Sequence, residues 1–204
     1  GLREARTADE LREVIGSMLE EADRLNRLVD TLLMLSRWES GRVQRSSMPV
    51  DLAVVVREVF SALNVLAEER RITMDLVGSA SGVLGDADPT MVRQALMNVI
   101  DNAIKFTREG GWIAVALDRT ATDVVVVVDD EGPGIPPAER GRVTERFYRV
   151  DGGGAHAARG SGLGLAIVSS VMAAHQGAVE IDESPAGGTR VTLRFPVRPP
   201  QASA

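Results

Sequence analysis

Apolar residues recur three and four apart over residues 9–38, at Leu11, Val14, Ile15, Met18, Ala22, Leu25, Leu28, Val29, Leu32 and Leu35. That spacing gathers them into one stripe and predicts a single long amphipathic helix. Asp and Glu crowd its start, and Gly41 offers a stop. The other faces are densely charged, so the stripe reads as the seam of a hairpin or coiled coil. No second long helix follows to pair with it.

After breaks at Ser40-Gly41 and Ser46 to Pro49 the pattern changes. Asp51 can cap a helix running to about Arg70, with Leu52, Val55, Val56, Val59, Phe60, Leu63 and Leu66 on its apolar side. Ile72, Met74 and Leu76 alternate with polar residues as in a strand. Asp88-Pro89 predicts a capped helix over 89–106. Trp112 to Leu117 and Val124 to Val128 read as neighbouring strands around a polar turn. Residues 132–164 are Gly-rich, a loop system with at most a short helix near 137–143. A helix over 162–176 should stop at Gly177, and strands at 178–183 and 189–195 complete the pattern. Strands and helices mixed in this order, with two hairpins, predict an α+β fold. It is a two-layer α/β sandwich whose mixed sheet is covered by helices on one face, preceded by the long helix.

Composition narrows the function. Apolar residues make up 44% and charged residues 25%, as in ordinary globular chains. With no Cys and two His, disulfide scaffolds, Cys-ligated metals and thiol nucleophiles are excluded, and a transition-metal site is disfavoured. A net charge of −6 argues against nucleic acid as a partner. No apolar run is long enough to cross a bilayer and no secretory leader is visible, so a cytoplasmic setting is expected. Among 23 basic residues Lys105 is the single Lys; a general bias toward Arg and a position that needs a compact ammonium rather than a planar fork explain this equally well on its own, and the neighbours of Lys105 favour the second.

Three segments carry candidate chemistry. On a helix over Gln94–Thr107, Val92, Ala95, Leu96, Val99, Ala103 and Phe106 share one face, while Gln94, Asn98, Asn102 and Lys105 share the other. Asn is a poor mid-helix residue, and solvated faces elsewhere in this chain are built from Arg and Glu. Carboxamide oxygens suit a hard cation that keeps most of its waters, and an ammonium suits phosphate; a plain solvated face is the alternative. In Val126–Pro136 a β-branched strand ends in Asp129-Asp130 and then Gly-Pro-Gly, where a flat ligand can approach and a carboxylate can accept from an exocyclic amine. A generic acidic turn reads equally well there. In Arg159–Val168, Gly160, Gly162 and Gly164 open an apolar helix whose freed N–H groups can face an anion. The spacing is neither a dinucleotide fingerprint nor a P-loop.

Taken in order, N-x-x-x-N-A-x-K-F-T, D-x-G-x-G-I-P, E-R-F-Y-R, G-S-G-L-G-L-A and G-G-T before the last strand resemble the ATP-binding catalytic domain of sensor histidine kinases. The resemblance covers residues 42–197, and LLMLSRWESG at the end of the first helix resembles the second helix of the same kinases' dimerisation hairpin. It implies domains at 1–41 (hairpin remnant) and 42–197 (catalytic), with 198–204 a disordered tail. It also implies ATP and Mg²⁺ as cofactors. By the same resemblance Asn102 is the Mg²⁺ ligand with Asn98 one turn earlier near metal and phosphates, and Lys105 contacts phosphate. Asp130, standing two before Gly132, takes the place of the carboxylate that binds the adenine amine; Gly132, Gly134 and Ile135 shape that pocket. Tyr148 and Arg149, after Phe147, flank a lid spanning Gly152–Gly154 and His156. Gly160, Gly162, Leu163, Gly164 and Leu165 hold the phosphates, and Thr189 sits near the base.

There are departures. Glu131 stands where Asn is common, Thr144 where an aromatic is common, and Gln176 where Gly is common. The phosphoaccepting His motif of these kinases has no counterpart here. His156 falls in the lid segment, and His175 ends a helix where the dipole favours a cation. The resemblance therefore implies a protein-histidine kinase fragment that does not autophosphorylate alone and has no catalytic residue of its own to name. Its parent is expected to be a homodimer anchored in the bacterial inner membrane. Its partners are a His-bearing dimerisation helix and a response regulator; the fragment itself meets no membrane. Rival readings are a serine kinase of the anti-sigma-factor type and a non-enzymatic nucleotide-dependent interaction module.

Overall fold

The computed structural model describes residues 14–16, 18, 29, 33, 48–78, 83–150 and 161–197. The chain divides into two units, residues 1–43 and 44–204. In the first, the described positions are helical, and Ile15, Met18 and Val29 of the expected seam are exposed. The rest of the long helix, the 198–204 tail, Gly160 and the lid positions Gly152–Gly154 and His156 lie outside the described residues.

In the second unit, β1 (Met48–Asp51) leads directly into α1 (Leu52–Glu69), which Asp51 caps by accepting from the Ala53 N–H at 3.0 Å. β2 (Thr73–Val77) and β3 (Val83–Ala87) follow, then α2 (Pro89–Phe106). Asp88 Oδ1 accepts from Thr90 and Met91 N–H at 2.9 and 3.1 Å, and Pro89 gives up no needed donor in the first turn. β4 (Trp112–Arg119) and β5 (Asp123–Asp130) form one hairpin. α3 (Gly164–Ala174) precedes the other, β6 (Ala178–Glu183) with β7 (Thr189–Pro196). The main sheet runs β2-β4-β5-β7-β6, with β2 parallel to β4 and all other pairs antiparallel. Residues 137–144 are turns rather than a helix.

Register decides the core. Ile113, Val115, Leu117, Val124, Val126, Val128, Val191, Leu193 and Phe195 fall on one face of the sheet and are all buried. The helices supply the opposing layer with Val56, Val59, Leu96, Ile100, Val168 and Met172, also buried. This is the mixed, helix-covered sandwich that the pattern predicts. Period two carries Asp130 and Thr189 onto that same face at the sheet's end, while Asp129 turns to the other face and forms a two-point ion pair with Arg190 at 2.7 Å.

Three expectations are corrected, and one sheet was not foreseen. Leu66 and Phe106 are 44% and 40% exposed instead of packed; Phe106 is the last residue of α2, where the chain turns extended at Thr107. α3 begins at Gly164 instead of 162, because Gly162 sits at φ +71°. β1 and β3 form a second, two-stranded antiparallel sheet that the pattern did not reveal. His175 is no exposed cation: it is buried, its Nε2 accepts the Asp88 N–H at 3.0 Å, and its Nδ1 lies 2.8 Å from Val171 O. An accepting Nε2 carries no proton, so the ring is neutral and ties the end of α3 to the start of α2.

Loss of the α2 cap is a direct test of that start. Asp88→Ala should destabilise the chain by about 1–2 kcal/mol, read as a lower urea midpoint at unchanged slope. No helix among the described residues is long and apolar enough to cross a membrane.

Candidate functional site

Two clusters meet along α2. The first is built around Asp130, whose carboxylate is buried at the end of β5. Its Oδ1 accepts from Gly132 N–H at 2.8 Å and Thr189 N–H at 3.0 Å. Both backbone bonds fall on one oxygen, so Oδ2 is the one they do not use. Ser184 completes the frame: its hydroxyl donates to Asp130 O at 2.7 Å and accepts from Gly188 N–H at 3.0 Å. The backbone closes in tightly. A Cβ on Gly188 would lie 2.2 Å from Asp130 O and 2.6 Å from its Oδ1, so this turn tolerates only glycine. Burial raises the Asp130 pKa above its ordinary value; the Thr189 and Gly132 bonds pull it down, and the neighbouring Asp129 charge adds to the rise.

The second cluster lies at the start of α3. A Cβ on Gly164 would sit 3.2 Å from Asn102 Nδ2, 3.5 Å from its Oδ1 and 3.7 Å from Asn98 Oδ1. The missing side chain thus leaves a cradle between two carboxamides and the first backbone amides of a helix. Asn98 spends its Nδ2 on Gln94 O at 3.0 Å, so its oxygen is the atom turned to the cradle. Leu163 is buried beneath, anchoring the turn, and Leu165 is half-buried beside it. Lys105 forms an i,i+4 ion pair with Asp101. It is exposed, and pairs of this kind contribute only about 0.3–0.5 kcal/mol, so the ammonium is cheaply released.

The clusters adjoin at the end of α2. A Cβ on Gly132 would lie 3.1 Å from Phe106 O, one residue beyond Lys105. The Arg70 guanidinium grips that same helix end through Ile104 O and Thr107 O. Gly134, at φ +71°, packs on Gly187 O and Gly188 O; Ile135 follows it, half-buried. Gly162 lies against the Phe147 backbone, and Phe147 N–H donates to Gly162 O at 2.9 Å. The Arg142 guanidinium stacks 4.2 Å over the Tyr148 ring, and Arg149 is exposed. Glu131 Oε2 accepts the Trp112 N–H at 3.1 Å, tying the start of β4 to the end of β5. Of the expected site residues, all but Gly160 are described. The sequence reading missed Ser184, whose only signal is its place four residues before Gly188 in a Gly-rich turn.

Residues 87–199, more than half of the 204, match the family model described as histidine kinase-, DNA gyrase B- and HSP90-like ATPase. The chain belongs to this ATPase family. It is 36% identical over 197 residues to the sensor histidine kinase CusS of Escherichia coli O157:H7, a match covering 97% of this chain and 40% of that protein. Among solved structures, a mycobacterial sensor histidine kinase MprB superposes with a TM-score of 0.64 at 33% identity, over 75% of this chain and 99% of that one. Full-length ShkA in complex with AMPPNP superposes at 0.77 and 31% identity, over 98% of this chain and 41% of ShkA. The chain spans about two fifths of the length of the curated relatives it matches. Within this ATPase fold, buried polar groups converge at the sheet end around Asp130, and the Asn98 and Asn102 carboxamides face the cradle at Gly164.

Proposed function

We propose that this chain is the ATP-binding catalytic portion of a two-component sensor histidine kinase. It passes the γ-phosphoryl group of ATP to a His on a dimerisation helix outside the chain, for relay to an Asp of a response regulator. The observation that carries this reading is the carboxamide-lined cradle at Gly164, joined through α2 to a buried carboxylate with one oxygen unclaimed by backbone. The purine amine donates to Asp130 Oδ2, with Gly132, Gly134, Ile135 and Thr189 framing the base. The phosphates lie along Gly162, Leu163, Gly164 and Leu165, with Lys105 released from Asp101 to meet them. Tyr148 and Arg149 flank the phosphate end.

Mg²⁺ fits the donor set. Asn102 and Asn98 offer neutral oxygens, and no group of three His, Cys, Asp or Glu that could hold a metal occurs among the described residues. An ion held by these two carboxamides would need its remaining ligands from phosphate and water, which suits Mg²⁺. When bound it neutralises charge on the phosphates.

The test is transfer in trans. The chain, Mg²⁺ and γ-labelled ATP should place acid-labile, base-stable label on a His-bearing hairpin supplied separately, and none on the chain alone. An acid-stable product would support serine phosphorylation instead, and tight ATP binding with no transfer would support an interaction module.

A further inference from the structure

Resting on the nucleotide reading above, we infer that Arg140 is a positioning residue that sets base discrimination. Ile135 O faces a donor shortage: Pro136 and Pro137 have no N–H, and the Glu139 N–H is spent on Pro136 O at 2.8 Å. Arg140 fills the gap from its side chain, with Nε donating to Ile135 O at 3.0 Å. The same guanidinium reaches the end of β6, at 3.6 Å from Asp182 Oδ1 and 3.9 Å from Glu183 Oε2. The Arg140 side chain is only 21% exposed, so the strut is largely shielded from solvent.

The two segments it joins are those that fix Asp130. Gly132 N–H, from the loop ending at Ile135, and Thr189 N–H, from beyond the turn that follows Glu183, both donate to Asp130 Oδ1. The loop and the turn also touch directly, through Gly134 and Gly187–Gly188. Arg140 therefore holds the carboxylate's two donors in register from outside the pocket. Its polar partners among the described residues, Ile135, Asp182 and Glu183, lie outside α2 and α3, which carry the phosphate cradle. Losing it should blur recognition of the base and spare the phosphates.

Titration of the full chain with ATP, ITP and tripolyphosphate, each with Mg²⁺, separates the two ends. ITP carries a carbonyl where ATP carries the amine. Arg140→Met should weaken ATP about tenfold, the equivalent of about 1.4 kcal/mol, while ITP and tripolyphosphate shift less than twofold. Arg140→Lys keeps the charge opposite Asp182 and Glu183 without the guanidinium fork, and should lose at least part of the ATP-over-ITP preference; it serves as the readout if the Met variant fails to fold. Equal weakening of all three ligands, or an unchanged ATP-to-ITP ratio in both variants, would overturn the inference. A wild-type chain that binds none of the three would sink the nucleotide reading instead.

Discussion

Replacing Asp130 by Asn is expected to weaken ATP binding by about two orders of magnitude, close to 2.7 kcal/mol, while leaving the chain at least as stable as before. The reason is geometric. Oδ1 is held by the Gly132 and Thr189 N–H groups, and an Asn oxygen can keep both bonds. The amide NH₂ must then occupy the place of Oδ2, where it meets the purine amine donor to donor. A buried donor left without an acceptor costs about 1–3 kcal/mol on each side of the clash. The same substitution turns the site toward a base with a carbonyl at that position, so ITP should lose far less than ATP.

Stability moves the other way because the Asp130 pKa is raised by burial. A carboxyl with a folded-state pKa above its unfolded value favours the protonated native state. Its contribution is fully present below the unfolded pKa and is lost as pH rises through the folded one. At neutral pH the ionised carboxylate is therefore a liability, and Asp130→Asn should unfold at the same or higher denaturant concentration than the wild type. That advantage should shrink as pH falls through the raised folded-state pKa and be gone below the ordinary Asp value of 3.8. ATP affinity of the wild type should fall with acidification already above that value, as the acceptor becomes protonated. Denaturation midpoints and calorimetric titrations across pH 3–8 read both effects. An Asn variant that binds ATP as the wild type does would remove Asp130 from base recognition.

The residues that made the fold legible are those whose local chemistry leaves few choices. Asp88-Pro89 specifies a helix start by cap and ring geometry, and α2 begins where they predict. The β-branched run Val124–Val128 forms a buried central strand. The β1–β3 sheet was hidden because its strands are four and five residues long, one contains Pro49 and the other Gly85, and their pairing spans α1 and β2. Short strands with breakers carry no period to read.

The candidate site divides in the same way. Asn98, Asn102 and Lys105 share a helix face by spacing alone, and α2 keeps them together. Asp130 could be separated from Asp129 by its offset from Gly132; strand period gives the same answer independently, since only Asp130 turns toward the helices. What sequence could not supply was side-chain reach across distant segments. Ser184 bonds a residue 54 positions away and His175 one 87 away. A helix-dipole argument for His175 uses only its own helix, whereas a buried acceptor for the Asp88 N–H is a tertiary fact. Arg140 lies in a turn where nothing in the sequence distinguishes it from its Arg neighbours.

Gly164→Ala should separate stability from function most sharply at the phosphate end. Gly164 opens α3 without a positive φ, so Ala is compatible with the backbone and should stabilise the helix by about 0.5–1 kcal/mol. The new methyl group would stand 3.2–3.7 Å from the Asn102 and Asn98 carboxamides. Those are flexible side-chain ends that can yield, so the fold survives. The cradle does not survive, because the methyl occupies the space in which a phosphate oxygen and its cation would sit. Tripolyphosphate and ATP should therefore both weaken about a hundredfold, and the Mg²⁺ dependence of ATP binding should flatten. Asn102→Ala opens the cradle instead of filling it, and should remove the Mg²⁺ dependence while leaving adenosine recognition intact. If Gly164→Ala bound Mg²⁺-tripolyphosphate as tightly as the wild type, the phosphates would have to lie elsewhere, and the pairing of α2 with the α3 N-terminus would be packing alone.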